Sequence, residues 1–218
     1  MPVAYKQVLI RSFKKAVLLT PLSDVIMARR LEKEVQDWEK HGRPDVLPNV
    51  MKQKIVEQYA RQFGVPILIE TGTNMGATVS AMISVFREIV SIELEESLYL
   101  RAKRKFKRFG HIRILQGDSA QVLEKLLPTV REPCLFWLDA HYCGGMTAKG
   151  PEDTPIIKEL AQVLAHPVTG HVILIDDARC FTGKNGYPTV GELSDIIRHT
   201  HPEWVFECRQ DIMRIHAA

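Results

Sequence analysis

The sequence lacks the features that mark secreted and membrane proteins. It has only four cysteines and no Cys-x-x-Cys pair, so we expect no disulfide framework and a cytoplasmic location. No apolar run approaches the ~20 residues that a membrane-spanning helix needs. The first segment, VAYKQVLIRSFKKAVLLT, has neither a continuous apolar stretch nor a small-residue cleavage site. We therefore predict no signal peptide, while a helix lying at a membrane interface remains an alternative.

A strong net charge is also missing. The formal charge of +3 on 218 residues is too close to neutral to indicate a nucleic-acid partner. One dense basic run, residues 101–108 (RAKRKFKR), falls in a predicted helix, where a solvated helix face is the simplest interpretation and a surface for nucleic acid or anionic glycan is the alternative. The 45% of hydrophobic residues suffices for one sizeable core. We expect a small-molecule partner.

The first part of the chain is predicted to be helical. Two helices are separated by a proline-containing segment at 41–49, and the second runs from Val50 to about Phe63. We find no candidate chemistry there, so we expect residues 1–64 to form an extension that covers the sheet or joins copies of the chain. The main domain is then predicted to span residues 65–218.

Apolar runs and amphipathic segments alternate after this extension. Strands are expected near residues 67–70, 89–93, 112–116, 134–139 and 171–176, and helices near 75–87, 95–108, 119–127 and 154–165. Crossovers that each contain a helix require a parallel sheet. After a helix near 190–199, two strands at 203–208 and 211–216 are joined so tightly that they must form an antiparallel hairpin. The sequence predicts an α/β fold with a doubly wound, mostly parallel, seven-stranded sheet.

The first strand leads into a glycine turn, ILIETGTNMG at 67–76. Its glycines, Gly72 and Gly76, allow the backbone to approach a ligand, and the second strand ends in Glu93. The third strand is followed by Asp118, after a glycine. Each acid alone could serve as a helix cap or meet a helix dipole. Acids after two consecutive strands of one sheet instead predict a bound nucleotide-like cofactor.

A second set of acids follows the fourth and fifth strands. Asp139 ends the fourth strand, with His141 two residues later, and the pair Asp176-Asp177 ends the fifth. Carboxylates that converge on one edge repel each other unless a cation offsets them, and a divalent ion such as Mg²⁺ is the simplest candidate. Helix caps and loop hydrogen bonds are the structural alternative. A zinc site is another, with the candidate ligands His141, Cys143, Asp177 and Cys180.

This order of elements and acids over residues 67–216 resembles the class I S-adenosylmethionine-dependent methyltransferases, a Rossmann-like family whose sheet ends in an antiparallel hairpin. The resemblance implies that Glu93 binds the cofactor's ribose and that Asp118, with Ser119 beside it, faces the adenine amine. It also implies that the first strand and its turn contact the methionine part, through Glu70, Thr71, Gly72, Thr73 and Gly76. The family's usual Gly-x-Gly is replaced here by Gly72-Thr73-Asn74-Met75-Gly76.

The two acidic segments, FWLDAHYCGG and HVILIDDARC, resemble the metal-dependent sugar and small-molecule O-methyltransferases. This second resemblance implies that Asp139, Asp176 and Asp177 hold the metal, and that the acceptor is a hydroxyl of a small polyhydroxylated or sugar-like molecule. His141 is the expected general base, because histidine titrates near neutral pH, and it forms a predicted catalytic pair with Asp139. Lys149, on the following loop, is the reserve candidate.

Two other classes of function remain open at this point. A nicotinamide-dependent oxidoreductase would share the alternating fold, but it calls for a tighter Gly-x-Gly-x-x-Gly and a Tyr-Lys or His catalytic element, neither of which is present. A non-catalytic protein that keeps the methyltransferase-like fold for binding is the second alternative. Acids at every expected strand end argue against a decayed site.

Overall fold

The structure is a computed structural model, and it describes residues 32–42, 44–139, 154–184 and 186–218. Its seven strands are β1 (Ile67–Thr71), β2 (Glu88–Glu93), β3 (Ile112–Gln116), β4 (Cys134–Leu138), β5 (Val172–Ile175), β6 (Trp204–Arg209) and β7 (Ile212–Ala217). They form one sheet in the order β3-β2-β1-β4-β5-β7-β6. The first five strands are parallel, and β7 is antiparallel to both β5 and β6. The predicted fold class and the terminal hairpin are confirmed.

Helices connect the strands and cover both faces of the sheet. They are α1 (Asn49–Phe63), α2 (Ala77–Met82), α3 (Glu96–Phe106), α4 (Ser119–Leu126), α5 (Ile156–Leu164) and α6 (Val190–Thr200), and residues 32–40 are also helical. No helix within the described ranges is long and apolar enough to cross a bilayer. The strand order reverses between β1 and β4, and ligands of open α/β sheets bind at the carboxyl ends of strands at such a switch point.

The two faces of the sheet carry separate hydrophobic cores. Strands β1, β4 and β5 are buried along their whole length, as expected for parallel strands covered on both sides. One core packs α4, α5 and α6 onto the sheet, and the other packs α1, α2 and α3 onto the opposite face. Helix α1 is therefore part of the second core, with Val56 and Ala60 buried against the sheet. Whether a domain boundary lies at residue 64 stays a prediction.

Helix α2 is shorter than predicted, covering 77–82 rather than 75–87. It begins late because Asn74 and Gly76 have left-handed backbone angles, with φ of 49° and 66°, which an α-helix cannot contain. The chain leaves the helix after Met82, and Phe86 then packs into the second core before β2 begins. The glycine turn therefore takes two residues from the predicted helix.

A hydrogen-bonded pair of histidines lies at the amino end of β5. The backbone N–H of Cys134 donates to Nδ1 of His171 at 3.0 Å, and Nε2 of His171 lies 2.9 Å from Nδ1 of His166. Nε2 of His166 lies 2.9 Å from the carbonyl oxygen of Leu127, which can only accept. The network therefore assigns both rings as neutral, with the proton on Nε2. Burial, and next the neighbouring His166, lower the pKa of His171 to about 4.

This pair predicts a loss of stability in mild acid. Between pH 7 and pH 5 the unfolded chain protonates His171 while the folded chain does not, so the free energy of unfolding should fall by about 2 kcal/mol from this residue. Urea unfolding of the wild type and of His171→Gln at the two pH values measures the difference. The variant should lose that part of the pH dependence, and the exposed His199→Gln should not. Identical pH dependence in His171→Gln and the wild type would contradict the assignment.

Candidate active site

The glycine turn lies directly on the end of β2. The backbone N–H groups of Gly72 and Thr73 both donate to the carbonyl oxygen of Ile92, at 2.9 and 3.1 Å. Gly76 needs to be glycine for two reasons, its left-handed φ and its contact with α3, because a Cβ there would lie 2.7 Å from the ring of Phe106. Close packing of α3 on the turn therefore accounts for this glycine without any ligand.

Glu70 lies beneath the turn and is only 2% exposed. The hydroxyl of Ser91 donates to its carboxyl group, and the same hydroxyl lies 2.6 Å from that of Thr73. Burial raises the pKa of Glu70 to about 8, so the side chain holds its proton at neutral pH. Glu70 supports the turn from below, and its predicted contact with a cofactor stays a prediction.

Glu93 joins the turn to the end of β2. Its Oε2 accepts from the backbone N–H of Asn74 at 2.6 Å, and its Oε1 accepts from that of Glu95 at 3.0 Å. Each carboxylate oxygen has a second lone pair, so both can still accept a hydroxyl group from a ligand. The predicted ribose-binding acid thus lies beside the turn with acceptor capacity left, and its role stays a prediction.

Asp118 and Ser119 begin α4, next to this junction. The backbone N–H of Gly117 donates to the carbonyl oxygen of Glu93 at 3.0 Å, which brings the ends of β2 and β3 together. One oxygen of Asp118 caps α4 by accepting from the backbone N–H of Gln121 at 3.1 Å. The helix cap considered from the sequence is therefore present. It commits one carboxylate oxygen, and an adenine contact through the other remains a prediction.

The acids after β4 and β5 meet a lysine that sequence reasoning missed. Nζ of Lys52, on α1, lies 2.7 Å from Oδ2 of Asp176 and 3.3 Å from Oδ1 of Asp177. The backbone N–H of Asp139 donates to the carbonyl oxygen of Thr71, which holds Asp139 at the end of β1. Burial, followed by the charges of Asp176 and Asp177, raises the pKa of Asp139 well above its usual range. Burial lowers the pKa of Lys52, but the neighbouring carboxylate of Asp176 more than offsets this with the help of Asp177. The pKa therefore lies above its usual value, and the lysine is charged.

A second cation, Arg179, also contacts this cluster. Its Nη1 is 2.8 Å from Oδ1 of Asp177 and also contacts the carboxylate of Asp211. Among the described residues, one oxygen each from Asp176, Asp177 and Asp211 lie within 4.8 Å of one another. The third member of this group is Asp211, whereas the third acid of the predicted metal site is Asp139.

The predicted metal ligands can be compared with this arrangement. Two side-chain cations already contact the carboxylates, so the group does not fit a divalent ion as it stands. These contacts alone do not decide the metal assignment to Asp139, Asp176 and Asp177, which stays a prediction. His141, Cys143 and Lys149 lie outside the described residues, so the predicted general base, its reserve and the zinc alternative stay predictions as well.

Glu159, in the first turn of α5, is another buried ionisable residue that the sequence analysis did not single out. It is 1% exposed, and neither carboxyl oxygen makes a hydrogen bond of normal geometry, although the hydroxyls of Ser119 and Thr71 lie close enough to influence it. Burial raises its pKa to about 7. The spacing gave a signal, because Glu159 lies three residues after Ile156 and four before Val163, on the buried stripe of the helix.

This carboxyl predicts the opposite pH dependence from His171. The folded chain keeps a proton that the unfolded chain releases above about pH 4.5, so the free energy of unfolding should fall by up to about 3 kcal/mol as pH rises through 7. Glu159→Gln should therefore be more stable than the wild type at pH 8, with a smaller difference at pH 5. Urea unfolding measures this, with Glu124→Gln on the exposed side of α4 as the control. An equal change at both pH values would show that Glu159 is not a neutral acid.

Comparisons with known proteins bear on the fold. No protein-family model and no curated protein matches the chain. An O-methyltransferase from Bacillus cereus in complex with SAH has a TM-score of 0.62 at 13% identity, covering 86% of this chain and 90% of that one. TomG from Streptomyces achromogenes, an O-methyltransferase involved in tomaymycin synthesis and solved with SAM, has a TM-score of 0.55 at 16% identity. The match covers 86% of this chain and 89% of TomG. SAH-bound PaMTH1, a methyltransferase from Podospora anserina, has a TM-score of 0.57 at 15% identity. The match covers 100% of this chain and 89% of PaMTH1.

These similarities agree with the strand order and the terminal hairpin. The chain has the fold of the class I S-adenosylmethionine-dependent methyltransferases. At these identities the likeness establishes the fold, and the activity has to be argued from the site.

Proposed function

We propose that this protein transfers a methyl group from S-adenosylmethionine to a hydroxyl of a small polyhydroxylated or sugar-like acceptor. The observation that carries the proposal is the position of Glu93, which holds the glycine turn against the end of β2 and keeps acceptor capacity on both oxygens. The three structures compared above, which have the same fold, hold SAM or SAH. The proposed methyltransferase domain is residues 65–218, in a cytoplasmic protein.

The proposed cofactor side extends from β3 to β1. Glu93 would accept the ribose hydroxyls, and Asp118 with Ser119 would face the adenine. The methionine part would lie along the turn residues Glu70, Thr71, Gly72, Thr73 and Gly76. S-adenosylmethionine supplies a methyl group on a positively charged sulfur. Glu70 holds its proton beneath the turn, and Glu93 accepts a hydrogen bond from the turn itself, at the backbone N–H of Asn74.

The proposed acceptor side extends from β4 to β5. A hydroxyl must lose its proton as it accepts a methyl group, so a base has to lie within about 2.6–3.2 Å of it or act through one water. Asp139 lies at the end of β4, hydrogen-bonded to β1, and its raised pKa makes its carboxylate a stronger base than an ordinary one. His141 follows two residues later in the chain. We propose that these two residues share the removal of the proton.

Ligand binding separates this proposal from the other classes of function. A nicotinamide-dependent oxidoreductase should bind NAD in calorimetry and leave SAH unbound, whereas the proposed enzyme should do the reverse. A non-catalytic binding protein could take up SAH but would transfer no methyl group to any acceptor. We propose no nucleic-acid partner, and contact between copies of the chain through the N-terminal helices is the proposed mode of any self-association.

Substitution of Glu93 tests the cofactor site. Glu93→Gln replaces one acceptor oxygen with a donor, so SAH affinity should fall by about 5- to 150-fold, corresponding to about 1–3 kcal/mol. The matched control is Glu88→Gln, at the opposite end of the same strand and paired with Arg113 on the surface, which should bind SAH like the wild type. Isothermal titration calorimetry gives the affinities, and thermal melting confirms that both variants fold. Unchanged SAH binding in folded Glu93→Gln would remove the ribose assignment.

A further inference from the structure

A lysine lies at the point where the sequence predicts a divalent ion. We propose that Lys52 is a built-in cation that takes the place of a metal ion between Asp176 and Asp177, so that the native site functions without Mg²⁺. The proposal depends on the proposed function only for the identity of the acceptor side. Its physical basis is the pair of contacts at 2.7 and 3.3 Å between Nζ and the two carboxylates.

The ion pair is buried, which makes it different from a surface contact. The side chains of Lys52 and Asp176 are 10% and 4% exposed, and the two residues are 124 apart in the chain. Removing the lysine from this position would leave Asp176 as an uncompensated buried charge, which is strongly unfavourable. A divalent ion would also have to bind beside an ammonium group, and like charges this close repel each other.

Helix α1 fixes the lysine in this position. Val56 and Ala60 lie one and two turns after Lys52, at 0% and 4% exposure, and anchor the helix in the core that covers β4 and β5. Arg179 also contacts the cluster, at both Asp177 and Asp211. Both positively charged side chains are therefore held beside the carboxylates by the folded chain itself.

The lysine can also contribute to binding of the acceptor. An ammonium group has three N–H donors, and the contacts to Asp176 and Asp177 use two of them. The third donor can bind the acceptor oxygen and stabilise the negative charge that develops on it as its proton leaves. This is the electrostatic part of the role that a metal ion would have.

Binding of Mn²⁺ tests the proposal without any turnover, since electron paramagnetic resonance detects the free ion directly. Wild-type protein should leave the free-ion signal unchanged. Lys52→Met should bind Mn²⁺ at least about tenfold more tightly, because the cation that contacts both Asp176 and Asp177 is then missing. Lys54→Met, two residues along the same helix, makes the same change of net charge and should behave like the wild type. Adding Asp176→Asn to Lys52→Met should abolish the new binding.

Two results would overturn the proposal. One is Mn²⁺ binding by the wild type that Asp176→Asn abolishes, and this arm does not depend on Lys52→Met being able to fold. The other is a folded Lys52→Met variant that binds Mn²⁺ no better than the wild type. If the wild type binds Mn²⁺ and Asp176→Asn binds it equally well, the ion is bound at another part of the surface. That result agrees with the proposal. SAH calorimetry without added metal separates the two hypotheses, because absence of SAH binding would refute the proposed function and leave the Mn²⁺ result standing.

Discussion

Buried carboxyl groups at the carboxyl edge of the sheet are the main energetic constraint on this structure, because an ionised carboxylate without a partner is costly away from water. The chain meets that constraint in three ways. Glu70 and Glu159 have pKa values raised by burial to about 8 and 7, so at pH 7 Glu70 is mostly protonated and Glu159 is partly protonated. Glu93 accepts two backbone hydrogen bonds, and Asp176 contacts the ammonium of Lys52. The four acids are therefore accommodated by three different chemical arrangements.

These arrangements are distributed along the edge in a way that suits two ligands. The order β3-β2-β1-β4-β5 places Asp118 and Glu93 on one side of the switch point, and Asp139 and Asp176 on the other. On the first side Glu93 and Asp118 contact backbone N–H groups and can still accept hydrogen bonds. On the second side Asp176 contacts the ammonium group of Lys52. We propose that the cofactor binds on the first side and the acceptor on the second, with methyl transfer between β1 and β4.

The strands and most of the helices could be predicted from the sequence because their signals are local. Five apolar runs alternate with amphipathic segments, and the acids that end the second and fourth strands follow directly from those runs. The start of α2 was predicted too early, because the pattern of apolar residues does not show that Asn74 and Gly76 have left-handed backbones. Backbone geometry of this kind depends on packing against α3, some thirty residues further along the chain.

The cation that pairs with Asp176 could not be predicted, because it comes from a distant part of the chain. Lys52 lies four residues before Val56 on the buried side of α1, and Glu159 lies on the buried stripe of α5. A charged residue on an apolar stripe is a signal that sequence reasoning could have used, but it does not identify the partner. The sequence showed three acids on one edge, while the lysine that pairs with two of them lies 124 residues before Asp176, so a metal ion was the simplest expectation. The pairing of α1 with β5 supplies a lysine instead.

The most direct test of this account is a crystal structure of the protein grown with both SAH and Mg²⁺. The account predicts the ribose of SAH against Glu93, its adenine beside Asp118, and Lys52 still between Asp176 and Asp177 with no metal ion there. A ligand bound elsewhere would contradict the cofactor site. A divalent ion coordinated by Asp139, Asp176 and Asp177, with Lys52 displaced, would contradict the role given to the lysine.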